Sequence, residues 1–120
     1  MKKSVIILCC CVAAAGAVAV RAADEAPLEG TYTFISKTLL DPPPGEKEDR
    51  VAIHIKGDGA RDIYKAMPVP EQPDLCYRKE DAVLTKSAGG LNCYGNDKMG
   101  YFCGVAIKLD NGATANAVVC

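Results

Sequence analysis

The sequence predicts an α+β domain in which one short helix packs on a small antiparallel β-sheet of about five to six strands, stapled by two disulfides. Three observations lead to this prediction. Short segments of alternating apolar and polar residues are separated by glycine- and proline-rich turns, a pattern typical of strands. Only one segment has helical periodicity. Four cysteines remain once the N-terminal segment is set apart.

The first 22 residues have the three parts of a secretory signal peptide. Met1–Lys3 is basic, Ser4–Val20 is uncharged and almost wholly apolar, and Val20–Ala22 offers compact residues at a cleavage point. The apolar stretch is shorter than the roughly 20 residues that span a bilayer. Asp24 follows it closely. We therefore predict that the chain is exported, either to the periplasm or as a secreted protein, without stable membrane insertion after cleavage.

Two alternatives to simple cleavage remain open. Lipid attachment would use a cysteine at positions 9–11, but Leu8 is not the small residue expected before a lipidated cysteine, and the chain beyond is still apolar. An uncleaved signal anchor is the other alternative. Cleavage itself is predicted at Ala22–Ala23 or, one residue later, at Ala23–Asp24.

Removal of residues 1–22 changes the composition of the working protein. Lys2, Lys3 and Arg21 leave with no acidic residue, so the remaining 98 residues carry 11 basic and 15 acidic side chains, a net charge of −4. This mildly acidic balance argues against a nucleic-acid partner. We expect a flexible lead-in at 23–30 and a single domain at 31–120.

The first half of the domain begins with two strands. Thr31–Leu40 is rich in β-branched and aromatic residues, which favours a strand. A proline run at Asp41–Gly45 ends it and a charged loop, Glu46–Arg50, follows. Val51–Ile55 alternates cleanly and predicts the second strand, which Gly57–Gly59 ends.

The chain then changes to a helical period. Four apolar residues recur on one helical face: Ala60, Ile63, Tyr64 and Met67. Asp58 is placed to act as the N-cap, because its carboxylate can accept from the free amides of the first turn. Pro68 ends the helix and begins a proline-rich connector to Pro73.

The second half predicts a meander of four strands. They are Ala82–Lys86, Leu91–Tyr94, Gly100–Leu109 and Thr114–Cys120. Turns are expected at 88–90, 95–99 and 111–112. The last, Asn111–Gly112, is the strongest turn signal in the chain, because both central residues of a type I′ turn need positive φ.

The four cysteines of the domain are Cys76, Cys93, Cys103 and Cys120. Their separations of 17, 10 and 17 positions lack the close pairs of a zinc site, and exported thiols oxidise in pairs. A two-residue turn at Asn111–Gly112 would put Cys103 opposite Cys120, which favours 103–120 and 76–93 bridges. The other two connectivities remain open.

Candidate catalytic residues are few. His54 is the only histidine, and its alternation with apolar neighbours places it on a solvent face. Asp58 with Asp62, or Glu80 with Asp81, could supply paired carboxylates to a hydrolase, but no pattern puts one of them in an apolar pocket. We predict no catalytic, cofactor or metal site, and no enzyme.

A binding surface is predicted instead. Tyr77, Tyr94 and Tyr101 lie near cysteines, and amphipathic tyrosines are favoured at protein interfaces. Pro43 and Pro70 belong to stiff loops, which lose little entropy on binding. The expected partner is another protein.

The leading hypothesis is therefore an exported, small, non-catalytic binding protein, such as an inhibitor or immunity factor for an extracytoplasmic enzyme or toxin. A small extracytoplasmic hydrolase and an envelope or stress structural protein are the alternatives. The arrangement is broadly similar to small exported bacterial proteins, and more loosely to periplasmic lysozyme inhibitors and immunity proteins. No motif of those families falls on particular residues, so the resemblance implies no sites.

Overall fold

The structure is a computed structural model that describes residues 24–120, so the predicted signal peptide, its cleavage point and the cysteines at 9–11 lie outside the described residues. The strands are β1 (Glu29–Ser36), β2 (Glu48–Lys56), β3 (Gln72–Pro73), β4 (Leu84–Ala88), β5 (Leu91–Asn96), β6 (Gly100–Lys108) and β7 (Thr114–Ala115). Helix α1 spans Gly57–Ala66, and a 3-10 turn covers Lys79–Asp81. The predicted α+β class, with one helix and two disulfides, is confirmed.

All seven strands belong to one antiparallel sheet in the order β1-β2-β6-β5-β4-β3, with β7 also paired to β6. One edge of β6 pairs with β2 from Phe102 to Lys108, and the other edge pairs first with β5 and then with β7. Strand β1 pairs with β2 and forms an outer edge of the sheet. The additional strand is β3, a two-residue pairing inside the predicted proline connector.

Several predicted boundaries shift. Strand β1 takes in Glu29 and Gly30 from the predicted lead-in and stops at Ser36, where a bulge interrupts the pairing. The charged loop prediction is wrong for residues 48–50, which continue β2: Glu48 and Arg50 pair with β1, and Arg50 also pairs with β6. Pairing with the neighbouring strands therefore outweighs the local charge of residues 48–50.

Helix α1 follows β2 without a loop. Gly57 takes φ +72°, a left-handed conformation that a glycine adopts without strain and that turns the strand directly into the helix. The predicted N-cap is wrong: Lys56 occupies that position, and the Asp58 carboxylate bonds Arg61 at 2.9 Å. The helix ends at Ala66, ahead of Pro68 as expected.

The core lies between α1 and one side of the sheet, which we call the helix face. Its buried members are Ile55, Ala60, Tyr64, Met67, Cys93 and Cys103. Since neighbouring residues of a strand point to opposite sides, His54, Phe102 and Gly104 belong to the other side, the far face. No helix within residues 24–120 is long and apolar enough to cross a membrane.

The predicted disulfide pairing is wrong, since the bonds join Cys93 to Cys103 and Cys76 to Cys120. The cause is the last hairpin. Only Gly112 takes positive φ there, and the loop has four residues, because Ile107 pairs with Thr114 and Lys108 N–H donates to Ala113 O. This shifts the register by two residues, so Cys120 does not lie opposite Cys103. The separate pairing of β5 with β6 puts Cys93 opposite Cys103.

Beyond β7, the C-terminal segment, residues 116–120, crosses the far face to Cys76. A Cβ added at Gly104 would lie 2.6 Å from Val118 Cγ2, so the glycine makes room for the crossing. Asn92 Nδ2–H donates to Asn116 Oδ1 at 2.8 Å and fixes the start of the segment. The Cys76–Cys120 bond fixes its end.

Substitution of Gly90 by alanine is expected to lower the free energy of unfolding by about 2–3 kcal/mol. A Cβ at buried Gly90 would collide with backbone atoms of Ala115, so β7 would have to move. Gly112→Ala is the matched control: its φ is +73° but nothing lies within 4 Å, so a loss of about 1 kcal/mol is expected there. Urea unfolding measures both, and an equal loss in the two variants would contradict the role given to Gly90.

Candidate protein-binding surfaces

Three aromatic side chains form a row on the far face, which we call the aromatic row: Tyr77, Tyr94 and Phe102. Tyr94 and Phe102 are direct cross-strand neighbours, with ring centroids 5.6 Å apart and planes at 22°. The Tyr77 ring lies 5.8 Å from Tyr94. Burial raises the pKa of Tyr94, with the neighbouring Tyr77 as a secondary cause. All three side chains are half-buried, so the row does not present a wide apolar face.

A cavity of about 230 Å³ lies beside the aromatic row. Phe102 and Val118 form walls of it, and Thr31, His54 and Lys56 bring polar groups. The wall at Val118 exists because the C-terminal segment is held across Gly104. This volume suits a single side chain or a small ligand.

The structure brings together only two of the five residues predicted to bind, Tyr77 and Tyr94. Tyr101 lies on the helix face, where its ring packs 5.1 Å from Tyr64 and its hydroxyl donates to Asp97 at 3.1 Å. Pro43 lies in the β1–β2 connection and Pro70 in the connection from α1 to β3, both exposed. Because its ring packs against Tyr64, the main role of Tyr101 is in the core.

Tyr64 occupies the centre of that packing. It is 4 % exposed, and its hydroxyl donates to Glu71 at 3.1 Å. Burial raises the pKa of Tyr64 to about 12, and the bond to Glu71 adds to the rise. Its role in holding α1 to the sheet is structural.

The helix face carries a larger apolar surface that the prediction of binding residues missed, which we call the apolar strip: Leu28, Tyr32, Phe34, Val51 and Ile53. Tyr32 is 71 % exposed, Phe34 52 % and Leu28 60 %. Tyr32 pairs with Ile53 and Phe34 with Val51, so the strip runs along β1 and β2. The Tyr32 and Phe34 rings meet edge to face, with centroids 6.2 Å apart.

Within residues 24–120, the strip stays uncovered because α1 is short. A helix of 10 residues is about 15 Å long, whereas the nine-residue β2 extends about 30 Å. The helix packs over the Ile55 end of β2. Leu28 lies against the helix there, since a Cβ added at Gly59 would lie 2.8 Å from Leu28 Cδ1. In the part of the chain that the structure describes, no helix lies above the Val51 end, and a groove of about 330 Å³ lies between Leu28 and Tyr32.

The candidate acid–base groups do not converge. Asp58 and Asp62 lie on α1 and both contact the Arg61 guanidinium, at 2.9 and 3.3 Å. His54 is exposed on the far face, with the sheet between it and the helix. Within residues 24–120, no three His, Cys, Asp or Glu side chains are grouped closely enough to hold a metal ion.

The geometry therefore offers two surfaces with different character: a half-buried aromatic row beside a small cavity, and an exposed apolar strip at the edge of the sheet. Comparison of this chain with protein-family models, with curated proteins and with solved structures finds no match in any of the three.

Proposed function

We propose that this chain is an exported, non-catalytic protein that binds another protein through the apolar strip. The observation that carries the proposal is the exposure of Tyr32 and Phe34 above an uncovered sheet face. A contiguous exposed apolar surface is favoured at protein interfaces, and aromatic residues supply much of the binding energy there. The strip thus offers a partner more apolar contact than the half-buried aromatic row.

The chemistry of the strip selects the kind of partner. Its members include no charged side chain, so a complementary surface would be apolar or aromatic at its centre. The two disulfides hold β5, β6 and the C-terminal segment. They are also compatible with an oxidising, extracytoplasmic location. An inhibitor or immunity factor for an enzyme or toxin in that location is the specific form we favour.

The two alternative functions have less support. The hydrolase hypothesis needed His54, Asp58 or Asp62 in one cleft, and the sheet separates the histidine from both carboxylates. An envelope protein without a specific ligand would present a surface free of apolar patches, whereas Tyr32, Phe34 and Leu28 are exposed together.

Site-specific photo-crosslinking in the cells that produce the protein tests the proposal. The full chain would carry a benzophenone amino acid at Phe34 in one variant and at Leu75 in the control, because Leu75 is also exposed and lies just after β3, at the opposite side of the sheet from β1. From Phe34 we expect an adduct with a second protein, whether or not an adduct between two copies of this chain accompanies it, and from Leu75 we expect neither. Equal labelling from the two positions, no adduct from Phe34, or an adduct made only of this chain would overturn the assignment of a heterologous partner.

A further inference from the structure

The outer edge of β1 is an open site for strand pairing. Over eight residues, Glu29–Ser36, the strand pairs with β2 on one side, and its outer side has no strand beside it within residues 24–120. Between Gly30 and Ser36 the edge has no proline and no charged side chain. Prolines and charged side chains usually protect an edge strand from pairing with another chain, and this stretch of the edge lacks both.

We propose that two copies of this chain pair through β1, antiparallel and centred on Thr33, to form a symmetric dimer. In this register residues whose numbers sum to 66 face each other. The facing pairs are Thr33 with Thr33, Tyr32 with Phe34, Thr31 with Ile35, and Glu29 with Lys37. Aromatic pairs, threonine pairs and opposite charges are all favourable directly across two antiparallel strands.

The charges fix the register. Glu29 begins β1 and Lys37 lies in the bend directly after it, so the two-fold axis brings each glutamate close to the lysine of the second copy. Centring on Tyr32 instead would put Glu29 opposite Ile35, and centring on Phe34 would put Lys37 opposite Thr31. Only the Thr33 register pairs both charges.

The Glu29 carboxylate already bonds Lys56 of its own chain at 3.0 Å. Lys37 of the second copy would place a second cation beside that carboxylate, giving one acid between two bases. Both partners of the existing bond are more than half exposed, so the gain from each new pair is modest and depends on salt. The charges therefore select the register, and the aromatic contacts add binding energy.

The dimer would also complete a surface. Tyr32 lies on the helix face and faces Phe34 of the second copy, so the helix faces of both copies lie on the same side. The two apolar strips then meet along the shared edge, with four aromatic rings at its centre. The inference does not rest on the proposed function: the dimer is tested by oligomeric state and the heterologous partner by crosslinking.

Charge exchange provides the test. Analytical ultracentrifugation of the mature protein at low salt is expected to show a dimer, and Glu29→Lys or Lys37→Glu alone should raise its Kd about tenfold or more. Mixing the two single variants should restore a heterodimer with near-parental Kd, because each copy then faces the opposite charge at both ends. Native mass spectrometry identifies it by its mixed mass.

A second pair of variants tests the edge without relying on Glu29. Thr33→Lys puts two lysines opposite each other at the two-fold axis and should give a monomer. Ala88→Lys adds the same charge at the exposed end of β4, on the opposite side of the sheet, and should leave the dimer intact. A monomeric parent protein at high micromolar concentration, no heterodimer on mixing, or equal effects of the two lysine variants would overturn the proposal.

Discussion

Replacing Cys93 and Cys103 together by alanine is expected to lower the free energy of unfolding by about 4 kcal/mol. The bond closes a loop of 10 residues in the unfolded chain, which contributes about 3 kcal/mol by chain entropy. Cys93 is fully buried and Cys103 is 2 % exposed, so the missing sulfurs also leave space in the core below α1. The cavity accounts for the remaining loss.

Urea unfolding followed by far-UV circular dichroism measures this loss, with the parent protein kept oxidised. Thiol titration of the folded variant should find no free thiol, which shows that Cys76 and Cys120 still pair. If the variant unfolds within about 1 kcal/mol of the parent, the buried bond is not a main source of stability and the prediction is wrong.

The sequence predicted best those elements that depend on local periodicity. Strand β2, helix α1 and the Gly89–Gly90 turn follow from alternation, from apolar residues at helical spacing and from paired glycines. These signals report on neighbouring residues only, which is enough to define an element and its apolar face.

The disulfide pairing could not be predicted in the same way, because it depends on register and on which strands are neighbours. The Asn111–Gly112 pair predicts a two-residue turn, but Asn111 does not take the positive φ that a type I′ turn needs. Its side-chain oxygen instead accepts from Ala113 N–H at 2.9 Å in a longer loop. A shift of two residues at this turn moved Cys120 away from Cys103.

The candidate binding surface was partly visible in the sequence. Alternation had already placed Tyr32 and Phe34 on one side of the first strand and Val51 with Ile53 on one side of the second. Whether that side is covered depends on where α1 lies over the sheet, which periodicity does not report. The signal for it is the difference in length between the two elements, because a ten-residue helix covers only about half of a nine-residue strand.

Mild reduction of the oxidised protein is expected to open the Cys76–Cys120 bond well before the Cys93–Cys103 bond. Thiol exchange requires a thiolate to reach a disulfide sulfur. Cys76 and Cys120 are both exposed, whereas Cys93 and Cys103 lie below α1 with almost no accessible surface. The outer bond should therefore react in the folded protein, and the inner one only after the helix has moved.

The consequence of this selective reduction is local. Without the bond to Cys76, the C-terminal segment keeps only contacts such as Asn92 with Asn116 and Val118 against Gly104, so we expect it to leave the far face. Alkylation followed by peptide mass spectrometry should label Cys76 and Cys120 first, and hydrogen exchange should rise in residues 116–120 while β2 and β6 stay protected. In urea all four cysteines should react together, which is the control. Labelling of Cys93 at the rate of Cys76 without urea would mean that α1 opens freely, and would contradict a core built around the inner bond.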